Sequence, residues 1–464
     1  FSGKLLVFIS TVILARLLSK DDFGVVAYAV TAIAFLDVVS DLGVGPAVIY
    51  YPEDEDLFST AFWLSLAIGA GLFVLTWLAA PLISQYFRDP RATEVTRVLA
   101  LTYPIAALGS IQDVVLRKRL AFGKSAIASF TQAFTKGAAS VLLALLGLGA
   151  WSLIWGQIGG AIAATLTAWL VSPWRPRLIF KPITSRALLG YGLHIVGVDL
   201  LAILLLNLDY LLVGRYLGAA VLGVYTLAFR LPDLLILQFT RILSTVLFPI
   251  YTRLRAIPGG LARGFFSTTR YVSLLTMPLG IGLALLARPF TLVVFTEKWA
   301  DGIPVIRAIS IYAMLLSLAY NAGSAYKADG RPQVLTWLGL ARLAMLLPAL
   351  WWAVSVPRSI VAVAWMQALV ALLSGALNLY AAARLLDLPL SDLALALRPA
   401  ALSSALMAAA VAAVLYAAAQ AAPWMQLLLG VSVGGAAYLA ALWLLQREII
   451  SEAGAQLRAV VGRG

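Results

Sequence analysis

The stretch Gly214 to Arg241, GRYLGAAVLGVYTLAFRLPDLLILQFTR, decides how the rest of the chain is read. It echoes ARLLSKDDFGV at Ala15 to Val25. In each copy an Arg follows a small residue at the end of an apolar run, and a Gly-Val pair opens the next run. Arg215 stands 199 positions after Arg16, and Gly223 stands 199 positions after Gly24. The apolar segments on either side keep the same step, so the chain reads as two homologous lobes. The second copy also sets Arg230 and Arg241 inside an apolar run, where a charge needs a reason.

Of the 464 residues, 62% are hydrophobic and 12% are charged, with a mean hydropathy of +0.95. A soluble domain carries roughly 25% charged residues. The chain is therefore expected to be an all-α integral membrane protein. A crossing helix takes about 20 mostly apolar residues, and about fourteen such runs can be marked out. The linkers are short, the longest lying near Ser172 to Arg186, which leaves no room for an ordinary soluble domain. The expected organisation is an N-lobe of six helices over residues 1–173, a linker over 174–187 and a C-lobe of six helices over 188–386. Two further helices and a tail follow over 387–464. Six spans is an even number, so both copies enter the membrane the same way round, as a parallel repeat about a pseudo-two-fold axis along the membrane normal.

Composition also excludes chemistry. There is no cysteine and one histidine, His194, so thiolate and multi-histidine metal sites are ruled out. No Walker loop, metal-ligand spacing or catalytic constellation is present, and neither an enzyme nor a cofactor is expected. The net charge of +13 reads as the excess of Lys and Arg in cytoplasmic loops, not as a nucleic-acid surface. Arg117, Lys118, Arg119 and Lys124 follow the fourth run, and Arg175, Arg177, Lys181 and Arg186 follow the sixth. This pattern places the even-numbered loops and both termini in the cytoplasm. The acidic loop Pro52 to Asp56 falls on that side against the trend. The apolar run is already under way at Phe1, which implies residues ahead of it, and no cleavable leader is expected.

Ionisable groups inside spans usually face a wet cavity or a partner. In the eighth run Arg230 and Arg241 lie eleven residues apart, which returns nearly to one helix face. Asp233, Gln238 and Ser244 share that face, and Pro232 loosens the helix beside Arg230. A bare Arg230–Asp233 pair is the competing reading. The fifth run carries Ser125, Ser129, Gln132, Lys136 and Ser140 in one stripe, read as cavity lining, with helix packing as the alternative. Asp37 and Asp41 stand four apart in the second run, placed to bind a proton or sodium ion or to pair with cavity arginines, with a solvated helix end as the other reading of Asp41. His194, Asp199 and Asp209 lie in the seventh. Arg270, Arg342 and the stripe through Asn321 add polar groups to the second copy, while Arg16 closes the first run and can snorkel to water. The Gly156 and Gly160 pair is a small-residue spacing suited to close helix contact.

Arg16-Leu17-Leu18 with Asp22-Phe23-Gly24, then Asp41-Leu42-Gly43, resembles the opening of bacterial polysaccharide flippases. Gly214-Arg215-Tyr216-Leu217-Gly218, Leu222-Gly223-Val224-Tyr225 and Phe248-Pro249 are similar to the matching segments of their second lobe. The best resemblance is to Wzx-like flippases of lipid-linked oligosaccharides, in the superfamily that also holds multidrug extruders and the lipid II flippase. It implies translocation of an undecaprenyl-pyrophosphate-linked glycan across the bacterial inner membrane by alternating access. It further implies a cationic lumen, carried here to Lys136, Arg230, Arg241, Arg270, Arg342 and Arg16, with Ser129, Gln132, Gln238 and Asn321 as polar lining. Coupling to H+, Na+ or the membrane potential is open, with Asp37 and Asp41 as the candidate ion ligands. The expected partners are the lipid-linked glycan, membrane lipids and polysaccharide polymerase machinery, with a monomeric chain. A multidrug antiporter of the same fold is the alternative, which the basic character of the spans disfavours.

Overall fold

The computed structural model describes residues 2–40 and 42–445; for residues 2, 38–40 and 191–199 only the backbone is described. Asp41 lies outside the described residues, as do the side chains of His194 and Asp199. The described chain is built from helices and contains no strand. This follows from composition, since a chain crossing hydrocarbon must satisfy each backbone polar group within its own segment.

The chain divides into two compact units, Phe1–Thr226 and Leu227–Gly464. The first unit holds α1 (Ser2–Leu17), α2 (Lys20–Ser40), α3 (Val44–Tyr50), α4 (Glu55–Phe87) and α5 (Arg91–Leu99). It continues through α6 (Thr102–Lys118), α7 (Phe122–Leu145), α8 (Ala150–Val171) and α9 (Pro182–Leu217). The division falls inside α10 (Ala219–Pro232), which runs through a π-helical turn at Asp233–Leu237 into α11 (Gln238–Leu254). The second unit goes on with α12 (Gly260–Leu285), α13 (Ala287–Phe290), α14 (Ile303–Tyr320) and α15 (Ala322–Ala328). It closes with α16 (Gln333–Ser355), α17 (Ile360–Leu385), α18 (Leu390–Ala417) and α19 (Pro423–Leu445).

Every apolar run marked out in the sequence coincides with a helix or with consecutive helices. Ten helices among the described residues are long and apolar enough to cross a membrane, eleven if α12 and the segment Ala287–Phe295, bent by 70°, count as one span. Large apolar side chains such as Leu170 and Leu78 are 83% and 70% exposed. Burying one such side chain stabilises by about 1.5–3 kcal/mol, so a surface covered in them requires lipid as its solvent. This is a multi-pass membrane protein.

The repeat is visible in the helix boundaries. α2 begins at Lys20 and α10 at Ala219, the same 199-residue step that separates the two Gly-Val pairs. The spans that begin at these two residues are both interrupted. α2 gives way to α3 through Gly43, whose φ of 69° is left-handed, and α10 gives way to α11 through its π turn. Interruptions at comparable positions of two repeats are the usual pointer to a transport site.

In the first unit the loops gather at two ends. The acidic loop that opposed the charge pattern sits among basic ones. Glu53 pairs with Arg119 at 2.5 Å, Glu55 with Arg177 at 2.5 Å and Asp56 with Lys181 at 2.6 Å. The loops after the second, fourth and sixth runs therefore meet at one end, and the acidic loop neutralises its basic neighbours. The segment after α8 is strapped there along α4. Trp63 Nε1 donates to the Arg177 carbonyl at 2.8 Å, and the Lys181 amide donates to Thr60 Oγ1 at 3.2 Å. Trp174 is buried among Phe58, Phe62 and Trp169.

Candidate functional site

In the first unit, Lys136 sits half-buried on α7, on the side that meets α8. A Cβ on Gly160 would stand 2.9 Å from Lys136 Cβ and 3.0 Å from the Gln132 carbonyl, and one on Gly156 would overlap Ser140 Oγ. The two glycines of α8 thus seat the stripe of α7, as their spacing suggested. Ser140 is 2% exposed, so for this residue packing is the correct reading. Ser125 is taken up by Asp113 of α6, donating at 2.5 Å. Ser129 and Gln132, in contrast, are exposed. The stripe is packed at its two ends, Ser125 and Ser140, and open between them at Ser129 and Gln132, with the half-buried lysine where the open part meets the packed C-terminal end. Asp37 is exposed near the end of α2, beside the Tyr103 hydroxyl of α6. Arg16 is exposed at the last turn of α1.

In the second unit, the π turn rearranges the eighth run. Residues five apart on an α-helix point about 140° away from each other, whereas a π turn stacks them. The Gln238 amide nitrogen of the backbone accordingly donates to the Asp233 carbonyl, and its side chain donates to Asp233 Oδ2 at 3.2 Å. Arg241, one turn on, reaches Asp233 Oδ1 at 3.2 Å. The pair forms with Arg241 rather than with Arg230, which corrects the competing reading of the sequence. The shared face of Arg230 and Arg241 is lost as well, because the wide turn adds a residue and rotates the remainder of the helix by about 100°. Arg230 is exposed. The ion pair is not dry, since its two side chains remain 40% and 35% exposed.

Arg342, half-buried on α16, donates from Nη2 to the Tyr312 hydroxyl of α14 at 3.2 Å. Tyr312 in turn packs edge-on against Phe229, the neighbour of Arg230. The Arg342 Nε is buried with no acceptor in reach among the described residues. Arg270 is half-buried on α12. Asn321 is fully buried between α14 and α15, with neither amide atom satisfied among the described residues, which sets it apart from an open lining group. Among the described residues no cluster of His, Asp and Glu could hold a metal ion.

Two roles escaped the sequence. Asp22 serves two helix starts: its Oδ2 accepts from the Ser19 amide at 2.9 Å and its Oδ1 from the Ala150 amide of α8 at 2.9 Å. The Ser19-to-Asp22 spacing is a capping-box signal that marks the first of these; nothing local marks the second. Arg215 donates to the Gln85 carbonyl at 3.0 Å and to the Tyr86 carbonyl, satisfying the exposed end of α4.

The comparisons agree with this architecture. Residues 13–304 match a family described as polysaccharide biosynthesis protein. The chain is 27% identical over 361 residues to the teichuronic acid biosynthesis protein TuaB of Bacillus subtilis, covering 77% of this chain and 74% of that protein. It is 29% identical to the succinoglycan biosynthesis transport protein ExoT of Rhizobium meliloti, covering 72% and 68%. In fold it is similar to the lipid II flippase MurJ in an inward closed conformation, with a TM-score of 0.75 at 13% identity over 97% of this chain and 98% of that one.

Proposed function

This chain belongs to the polysaccharide biosynthesis protein family, and from that premise we propose that it flips an undecaprenyl-pyrophosphate-linked oligosaccharide across a bacterial inner membrane. The observation that supports the reading best is Arg342. Its guanidinium, placed within a span, carries a buried N–H with no acceptor in reach among the described residues. Such a donor costs about 1–3 kcal/mol while unfilled, and a diphosphate oxygen is the acceptor that arginine forks suit. Arg230, exposed inside the eighth run, and Lys136 offer further charge of the same sign. A diphosphate in hydrocarbon needs such compensation, and water around it spares the sugars the loss of their hydrogen bonds. The chain binds and releases its cargo without bond chemistry. Movement is coupled to protons or sodium through Asp37, or to the membrane potential acting on the charged head. Liposomes with imposed gradients of each would distinguish these sources.

The test is complementation of a strain lacking its own flippase. Arg342→Gln, and the double variant Lys136→Ala with Arg230→Ala, should each lower surface polysaccharide at least tenfold while the amount of protein in the membrane stays unchanged. Full complementation by both variants would remove the cationic groups from the mechanism. The orientation, with even-numbered loops and both termini cytoplasmic, follows from the basic loops. The natural lack of cysteine makes single introduced thiols a clean accessibility test of it.

A further inference from the structure

The third span of each copy contains a proline inside its helix, Pro81 in α4 and Pro278 in α12. A proline has no N–H, so the carbonyl four residues before it loses its partner within the helix. That carbonyl belongs to Trp77 in α4 and to Leu274 in α12. Hydrocarbon offers no water to replace the missing donor, so another part of the protein must supply it. In each unit a side chain from a different helix does so. Arg97 of α5 donates from Nε to the Trp77 carbonyl at 3.3 Å, with its guanidinium 5.1 Å from the centre of the Trp77 ring. Tyr438 of α19 donates its hydroxyl to the Leu274 carbonyl at 2.6 Å. The two copies meet one requirement with different donors. The first draws on α5, a helix of the repeat, and the second on α19, one of the two helices outside it.

The second donor ties a hairpin to α12 on both sides of its proline. Tyr438 is buried with Leu286, Met407 and Val411 in one apolar cluster. Before Pro278, its hydroxyl holds Leu274. After Pro278, a Cβ on Gly430 would stand 2.4 Å from Leu286 Cδ2, where α12 turns by 70° into the segment Ala287–Phe295. α18 backs the same contact, since a Cβ on Gly434 of α19 would stand 2.8 Å from Val411 Cγ2. The glycines bring α19 close, and the phenol reaches the carbonyl that the proline frees. A phenylalanine would fill the same space, so packing alone does not require the hydroxyl.

From these contacts we infer that Tyr438 is a positioning residue for flipping: it fixes the path of α12 past Pro278, and through that helix the place of Arg270, one turn before Leu274. The inference rests on the flippase reading. Pro278 leaves α12 short of one internal bond, which is where a helix bends. The Tyr438 hydroxyl supplies that bond from outside and takes the freedom away. The α18–α19 hairpin is then a brace on which transport depends, and not an appendage to the repeat.

The experiment uses the full cysteine-free chain in liposomes, with spin labels at Ser267→Cys and Leu283→Cys, which flank Pro278 on α12. Tyr438→Phe keeps the ring and removes the hydroxyl. It should lower flipping of a lipid-linked oligosaccharide at least threefold at an unchanged amount of protein, and it should broaden the distance between the labels. Pro278→Ala returns an N–H to the Leu274 carbonyl within the helix, which makes the phenol dispensable. In that background Tyr438→Phe should leave the label distance unchanged, which a general loosening of α19 would not allow. Flipping by Tyr438→Phe at the parent rate overturns the inference. So does equal broadening in both backgrounds, which would assign Tyr438 to packing alone. If the parent chain itself flips no lipid-linked oligosaccharide, the flippase reading fails and this role falls with it; the parent rate tells the two failures apart.

Discussion

The two ends of the first unit are fastened by opposite means. At the end where the even-numbered loops meet, the carboxylates of Glu53, Glu55 and Asp56, exposed or partly so, pair with Arg119, Arg177 and Lys181. At the other end, buried glycines bring backbone onto backbone at Gly24 and Gly223. The charged end looks the more elaborate. Exposed ion pairs are nonetheless worth only about 0–1 kcal/mol each, because water and salt compete for the charges. The charged end is fixed instead by the strap beneath it, pinned by backbone bonds to α4 and by Trp174 in its aromatic cluster. Visible charge and mechanical hold are different things here.

The largest test of that contrast is Trp174→Ala. Emptying a buried tryptophan site costs about 3–5 kcal/mol, so thermal unfolding in detergent should shift down by several degrees; a shift like that of a surface variant would show the strap is not held there. Next comes Gly223→Ala at the opposite end. Overpacking of this kind costs about 1–3 kcal/mol, and the same assay should report a loss smaller than that of Trp174→Ala. Asp22→Ala removes one acceptor from two helix starts and should cost about 1–2 kcal/mol, with the protease sensitivity of the loop before α8 rising in step. Glu55→Gln should change stability by less than about 1 kcal/mol, and the difference from the parent should vanish in molar salt. A larger effect would mean the ion pairs carry the charged end after all.

The smallest effect is a pH dependence. The Arg91 guanidinium beside Asp89 holds its carboxyl below the usual carboxylate range. Its contribution is therefore complete above about pH 4, the ordinary aspartate value, and is lost as the pH falls through the lowered one. In acid titrations followed by unfolding, Asp89→Asn should flatten this decline without changing stability loss at the charged end.

Sequence reading succeeded where a signal is local or periodic. The apolar runs, the 199-residue echo and the glycine spacing of α8 all correspond to observed features, since length, step and small side chains are properties of the chain itself. It failed at the eighth run, where Pro232 announced a disturbance but not its kind. A π turn and an ordinary kink start from the same residues, and only the π turn stacks Asp233 with Gln238 and hands the carboxylate to Arg241. It failed also on the stripe of α7, because equal spacing cannot tell a face turned to a neighbour from a face left open.

By itself the sequence determined that this protein lives in a bilayer, that it is helical and duplicated, and that its spans carry positive charge. These follow from hydrocarbon thickness and the need to satisfy backbone groups within each segment. Only the tertiary structure decided which cation meets which acid, which stripe packs, and that the repeated glycines face each other. The loop ion pairs, the packed stripe and the facing glycines depend on contacts between residues far apart in the chain, and the Asp233–Arg241 pair depends on a widened helical turn, none of which local patterns encode.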